Sequence, residues 1–190
     1  MSRKLDYVVS GTSYMRFSNP GIAKDETNSQ IINMLIDKLV TDVHSHKFSM
    51  LYNGHTESSF GDRFTAYKDH VHEIHADSGG LQIVTQGMVI TDELKDKVYE
   101  NQAQWADVGM CFDEIPVVLT GDRSDRNDTK ARFFDFENYE ELARKTGRNV
   151  KRQLEIFDKA DSKCKPYIIL QGNCVDTYLR WYECLMEEVP

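Results

Sequence analysis

The sequence predicts an α/β protein built on a parallel sheet, and three observations carry that prediction. Short apolar runs alternate along the chain with amphipathic stretches of helical period, the order produced when each strand is followed by a crossover helix. Each of the clearest runs ends on a polar, glycine-containing or acidic segment. The 190 residues, 40% hydrophobic and 28% charged, suit one soluble domain or a piece of a larger one.

Taken in order, Tyr7 to Gly11 reads as a short buried strand ended by glycine. Ser29 to Val40 reads as a helix, because Ile32, Leu35, Ile36 and Leu39 recur at spacings of three and four. Thr41 to Lys68 is polar and irregular, with one short strand near Phe48 to Leu51. Val71 to Ala76 is a strand. Thr91, followed by Asp92 and Glu93, is an N-cap with acids at the positive end of a helix dipole. The helix then carries Leu94, Val98, Trp105 and Ala106 as a thin apolar stripe.

Met110 to Phe112 forms the next strand, ending on Asp113-Glu114-Ile115-Pro116. Leu119 to Phe136 reads as a charged loop. Tyr139 to Phe157 is a long helix with Leu142, Val150, Leu154 and Phe157 inward. Pro166 to Leu170 is a strand ended by Gln171-Gly172-Asn173. Val175, Tyr178, Leu179, Tyr182, Leu185 and Met186 make the stripe of a last helix. No internal repeat or low-complexity segment interrupts this order.

Composition excludes several classes. The longest apolar runs are a few residues, far below the roughly 20 a membrane-spanning helix needs, and the N-terminus shows no signal-peptide pattern. Cys111, Cys164, Cys174 and Cys184 lack CxxC spacing and read as reduced cytoplasmic thiols, with no metal site in the chain. The net charge of −8 argues against a generic nucleic-acid binder. Lys145, Arg148, Lys151 and Arg152 form a local basic cluster whose favoured reading is a solvated helix face. His70, His72 and His75 lie close together, but without converging partners a structural or solvated role is favoured.

Three segments bring polar groups to the same edge of the predicted sheet. DSGG, DEIP and QGN each follow a strand, and in α/β folds sites are built at the carboxyl ends of strands. Asp77 suits a general acid/base or an anchor. Gly79 and Gly80 lack Cβ atoms, which lets a ligand approach the backbone. On spacing alone a capped tight turn explains DSGG equally well. Of the adjacent acids Asp113 and Glu114, only one should face a site if strand geometry continues, because neighbouring side chains point opposite ways. Gln171 offers donor and acceptor to a nucleobase edge. Alone, QGN reads as a strand-to-helix turn with Asn173 as N-cap.

Together, ADSGGLQ, then CFDEIP, then IILQGN and a helix holding Leu179-Arg180 resemble the tRNA-guanine transglycosylase family, over roughly residues 70 to 190. The resemblance implies a TIM-type (β/α)8 barrel, of which this chain would be the N-terminal part and a single domain. It implies exchange of guanine for a 7-deazaguanine base in tRNA. Asp77 would handle the proton of the exchanged base. Ser78 and Gln82 would line the pocket beside Gly79, Gly80 and Gln171. Asp113 would accept from N1 and the exocyclic amine, and the backbone at Gly172 and Asn173 would donate to the base carbonyl.

Leu81 stands where the family has an aromatic, and Asn173 where it has a second glycine. The family's aspartate nucleophile and zinc site would lie beyond Pro190, so no cofactor is expected in this chain and the covalent step is not expected of it alone. The implied partners are tRNA or DNA and the base, with a homo- or heterodimer compatible and no membrane. Base exchange in DNA is the near alternative, to which the short link from Gln82 to Asp92 lends weight. A non-catalytic subunit is the other, against which the presence of both Asp77 and Asp113 counts.

Overall fold

The computed structural model describes residues 8–9, 49–54, 72–80, 89–119 and 132–189. Strands β1 (Val8–Val9), β2 (Ser49–Asn53), β3 (Ile74–Asp77), β4 (Val108–Met110) and β7 (Lys165–Tyr167) form one sheet. Its spatial order is β1-β2-β3-β4-β7, and every neighbouring pair is parallel. The strands sit side by side in the order in which they occur, with no reversal. Right-handed crossovers that always step the same way keep their helices on one face. Helices α1 (Asp92–Trp105), α2 (Tyr139–Lys159) and α3 (Val175–Met186) agree: α1 packs on α2, and α2 on α3.

The start of α1 is the capped one expected: Thr91 Oγ1 accepts from the Leu94 N–H at 3.3 Å, and Asp92 and Glu93 occupy the first turn. Asp107 then ties three strands together at their amino ends. Its carboxylate accepts from the Ile74 N–H at 2.8 Å, its N–H donates to the Ile74 carbonyl, and its carbonyl accepts from the Lys165 N–H. After α2, Asp161 takes a left-handed conformation (φ 48°) and Ser162 Oγ donates to the Ala103 carbonyl, turning the chain back into β7.

The main core lies between the sheet and α1 and α2: Val98, Tyr99, Phe112, Phe157 and Cys164. A second cluster joins α2 to α3 through Tyr139, Ala143, Trp181, Cys184 and Leu185. The two helices approach closely there, since a Cβ on Gly147 would lie 2.4 Å from the Leu185 carbonyl oxygen.

Several expectations change. The stretch read as a charged loop contributes to a hairpin, because β6 (Arg132–Phe134) pairs antiparallel with β5 (Val117–Leu119). The strand expected at Met110 to Phe112 is Val108 to Met110. Phe112 instead leaves the sheet to pack its ring edge-on against Tyr99, at 5.7 Å between centroids. The inner face of α2 is more polar than expected, for Thr146, Asn149 and Gln153 are buried beside Val150 and Phe157.

The stripe expected of α3 mostly faces outward. Val175, Tyr178, Leu179, Tyr182 and Met186 are exposed, while Trp181, Cys184 and Leu185 are buried. The helix turns its Trp181 side to α2, and of the expected stripe only Leu185 lies on that side. The helix expected at Ser29 to Val40 lies outside the described residues. Among the described residues no helix is long and apolar enough to cross a membrane.

Candidate functional site

Asp77 is the last residue of β3, half-buried, with its carbonyl accepting from the Gly54 N–H at 2.9 Å. Burial pushes its carboxyl above the usual carboxylate range, and the N–H groups of Ser78 and Gly79 pull partly the other way. Ser78 is buried, and its hydroxyl oxygen accepts from the Gly80 N–H at 3.3 Å, so its side chain caps the turn.

The two glycines differ. Gly79 has φ +75°, and a Cβ there would sit 2.2 Å from Asn53 Oδ1. Its bareness therefore serves the left-handed turn and the approach of Asn53 from β2. A Cβ on Gly80 would meet nothing closer than 3.6 Å, so the described residues leave room there. Gln82 and Leu81 lie outside the described residues, as do His44, His46, His55 and His70.

Asp113 follows β4 by three residues and is also half-buried. Gln171 Nε2 donates to its Oδ2 at 2.5 Å. Burial raises the Asp113 carboxyl first of all. The Gln171 bond opposes this, and the like charges of Asp77 and Glu114 add to it. Glu114 points away: its carboxylate pairs with Lys145 at 3.1 Å, and its N–H donates to Thr146 Oγ1 at 2.9 Å. Of the two adjacent acids, Asp113 alone joins the cluster with Gln171 and Asp77.

The segment after β7 is fastened by side chains that periodicity did not single out. Tyr139 Oη donates to the Gln171 carbonyl at 3.0 Å and contacts the Thr177 carbonyl, while Trp181 Nε1 donates to the Ile169 carbonyl at 3.2 Å. Asn173 is not the N-cap; Cys174 is. Thr177 Oγ1 accepts from the N–H groups of both Asn173 and Cys174 at 3.0 Å. The Asn173 amide is therefore occupied rather than offered to a ligand. A Cβ on Gly172 would lie 2.9 Å from Thr177 Oγ1 and from the Tyr178 ring, so what comes close to this glycine is the first turn of α3.

Behind the site runs a buried polar layer. Gln102 Nε2 donates to the carbonyls of Ala76 (3.2 Å) and Met110 (2.9 Å), and Gln153 Nε2 to Gln102 Oε1 (2.8 Å) and the Gly109 carbonyl (3.1 Å). These side chains tie α1 and α2 to the last residues of β3 and β4. A signal for them exists in the sequence. Gln102 continues the buried stripe of Lys95 and Val98, and Gln153 lies between Val150 and Phe157, so both are polar residues in phase with a buried face.

The basic cluster on α2 is largely neutralised. Lys145 pairs with Glu114, Arg148 with Glu141 and Glu188, and Arg152 with Asp92 and Asp96. His72 is exposed, whereas His75 is buried with its Nε2 3.2 Å from Glu73 Oε2. Among the described residues no group of three or more His, Cys, Asp or Glu is placed to hold a metal. The cysteines are unpaired, and burial pushes the Cys111 thiol up to about 12.

The arrangement is chemically specific. Two carboxyls of raised proton affinity and one carboxamide stand at the carboxyl ends of three adjacent parallel strands, β3, β4 and β7. Such a set accepts hydrogen bonds from a ligand with a donor edge, and a carboxyl of raised proton affinity is suited to hold or pass on a proton. In comparisons with protein-family models, curated proteins and solved structures, the chain matches none.

Proposed function

We propose that this chain recognises guanine as part of a tRNA-guanine transglycosylase-like (β/α)8 barrel. The observation that carries the reading is the convergence of Asp77, Asp113 and Gln171 at three adjacent strand ends, with Gln171 bonded to Asp113. The sequential, all-parallel strand order supports the barrel, since an open doubly wound sheet reverses its order at a switch point. Guanine presents the N1–H and the exocyclic amine side by side. Asp113 accepts from that pair, taking the place that the Gln171 amide holds in the ligand-free protein.

Gln171, thus released, turns its carboxamide to the base, and the Gly172 N–H donates to the base carbonyl. Asp77, poised by burial and two backbone N–H groups, moves the proton of the exchanged base. The nucleic acid is tRNA in the leading form of the reading, and DNA in its alternative.

Calorimetric titration with guanine, hypoxanthine and adenine tests the recognition. Guanine should bind best. Hypoxanthine lacks the exocyclic amine and should bind about tenfold more weakly, the worth of one charge-assisted hydrogen bond. Adenine should not bind measurably, and Asp113→Asn should weaken guanine by a similar factor. Equal binding of adenine, or an unaffected Asp113→Asn variant, would remove the reading. Incorporation of labelled guanine into tRNA or into duplex DNA by the complete enzyme separates the two substrates.

A further inference from the structure

We propose that Asn149, oriented by Lys95 and assisted by Tyr99 and Thr146, is the residue that positions the Asp113 carboxylate. The ligand in this inference rests on the guanine reading; the positioning does not. Asp113 lies beyond the end of β4, where the sheet no longer sets its backbone: the last bond to β7 is from the Cys111 N–H to the Tyr167 carbonyl. From there side chains of α1 and α2 take over. The Phe112 N–H donates to Tyr99 Oη at 3.1 Å, the Phe112 carbonyl accepts from Asn149 Nδ2 at 3.0 Å, and the Glu114 N–H donates to Thr146 Oγ1 at 2.9 Å. Both peptides that flank Asp113 are thereby held by helices.

The direction of the Asn149 amide is set chemically. Lys95 Nζ lies 2.8 Å from Asn149 Oδ1 and can only donate, so the oxygen must face it and the Nδ2 must face Phe112. Thr146 is aligned in the same manner, because its hydroxyl donates to the Leu142 carbonyl and leaves a lone pair for Glu114. Lys95, Thr146 and Asn149 are all buried, on stripes that otherwise bury Val98, Tyr99, Val150 and Phe157. Burial lowers the proton affinity of the Lys95 ammonium, an unfavourable setting that an apolar residue would avoid. Holding the Asp113 peptide in place is what these polar side chains accomplish that apolar ones would not.

The test replaces the pair by apolar groups of similar size, Lys95→Met with Asn149→Leu. Both partners of the Lys95–Asn149 bond are removed together, so the group left without its partner is the Phe112 carbonyl whose hold on Asp113 is under test. The readouts are the carboxyl titration of Asp113 by carbon NMR and the side-chain amide resonance of Gln171. Asp77 and Glu114 are the charged groups acting on Asp113, which in turn acts on the Cys111 thiol, and all three are retained. Positioning predicts that the Gln171 amide loses its bonded shift and that the Asp113 midpoint moves, because both its burial and the Gln171 bond depend on where the carboxylate is held. Loss of the Lys95 charge by itself would leave the Gln171 amide at its bonded shift, so that resonance separates the two causes.

Tyr99→Phe removes a single oxygen and should move both signals the same way, which keeps the test decisive if the double variant does not fold. Ser162→Ala, which breaks the Ser162–Ala103 bond away from Asp113, serves as control and should move neither. Unchanged Asp113 and Gln171 signals in a folded variant would overturn the proposal and leave these side chains merely structural. Guanine affinity should fall about tenfold in step with the titration. If the titration moves while even the unaltered protein binds no guanine, the positioning stands and the guanine reading fails.

Discussion

Replacing Gly147 by alanine sets two physical effects against each other. Gly147 lies within α2, where alanine favours an isolated helix by about 1 kcal/mol over glycine. From helix propensity alone, the substitution should stabilise. The tertiary structure opposes it: the new Cβ would lie 2.4 Å from the Leu185 carbonyl oxygen and 2.9 Å from Glu188 Cβ. The nearer atom belongs to backbone, so no side-chain rotation relieves the contact and α3 must move away by roughly an ångström. That movement loosens Trp181, Cys184 and Leu185, which are fully buried against α2.

Overpacking of this kind costs about 1–3 kcal/mol, occasionally more, which leaves a net loss of up to about 2 kcal/mol after the propensity gain. For a chain of this size the melting temperature should then fall by up to about 8 °C. Thermal or urea unfolding followed by circular dichroism measures it. Gly80→Ala, where the added methyl meets only ordinary contacts, serves as reference and should stay near the wild type. A melting temperature for Gly147→Ala at or above that of the wild type would show that the α2–α3 approach is looser than described. The Tyr139 clamp on Gln171 would then lose its fixed base.

Two further outcomes follow from electrostatics. Burial raises the Asp113 carboxyl, so the folded state holds its proton more tightly than the unfolded chain. The associated stability is present below the ordinary carboxylate pKa and is lost as pH rises through the folded value. Asp113→Asn should therefore gain stability relative to the wild type as pH rises from the carboxylate range toward neutrality. Urea unfolding across that range checks this, and a gain that appears only on acidification would reverse the assigned cause. Because Arg148 is held by Glu141 and Glu188, Arg148→Gln should leave the salt dependence of the proposed tRNA binding unchanged. A drop in the slope of log K against log salt of about 1 per charge removed would place this face of α2 on the nucleic acid.

Much of the site was legible in the sequence for local reasons. Period-two and period-3.6 patterns marked the alternation, and turn residues marked where strands stop. Those local patterns suffice to place Asp77, Asp113 and Gln171 at or just beyond strand ends. Asp113 and Glu114 diverge as expected, but because α2 holds Glu114 through Lys145 and Thr146, since β4 already ends at Met110. The interpretation of the glycines was not legible, because bareness at Gly79 and Gly172 answers to Asn53 and to α3, and a linear pattern does not say which neighbour arrives.

The sequence by itself determined the α/β order, the Thr91 cap, the polar strand ends and the absence of long apolar spans, because each depends on residues a few positions apart. The tertiary structure decided the rest. The bond between Gln171 and Asp113 joins residues 58 positions apart, and it exists because β7 lies beside β4. Which side of α3 is buried depended on where α2 lies: a helix with apolar residues on two sides cannot reveal from its period which one meets a partner. The buried Lys95, Gln102, Asn149 and Gln153 make sense only against the main-chain groups at the ends of β3 and β4. A polar residue on an inward face is a defect until the carbonyl or amide it satisfies comes within reach, and folding alone brings it there.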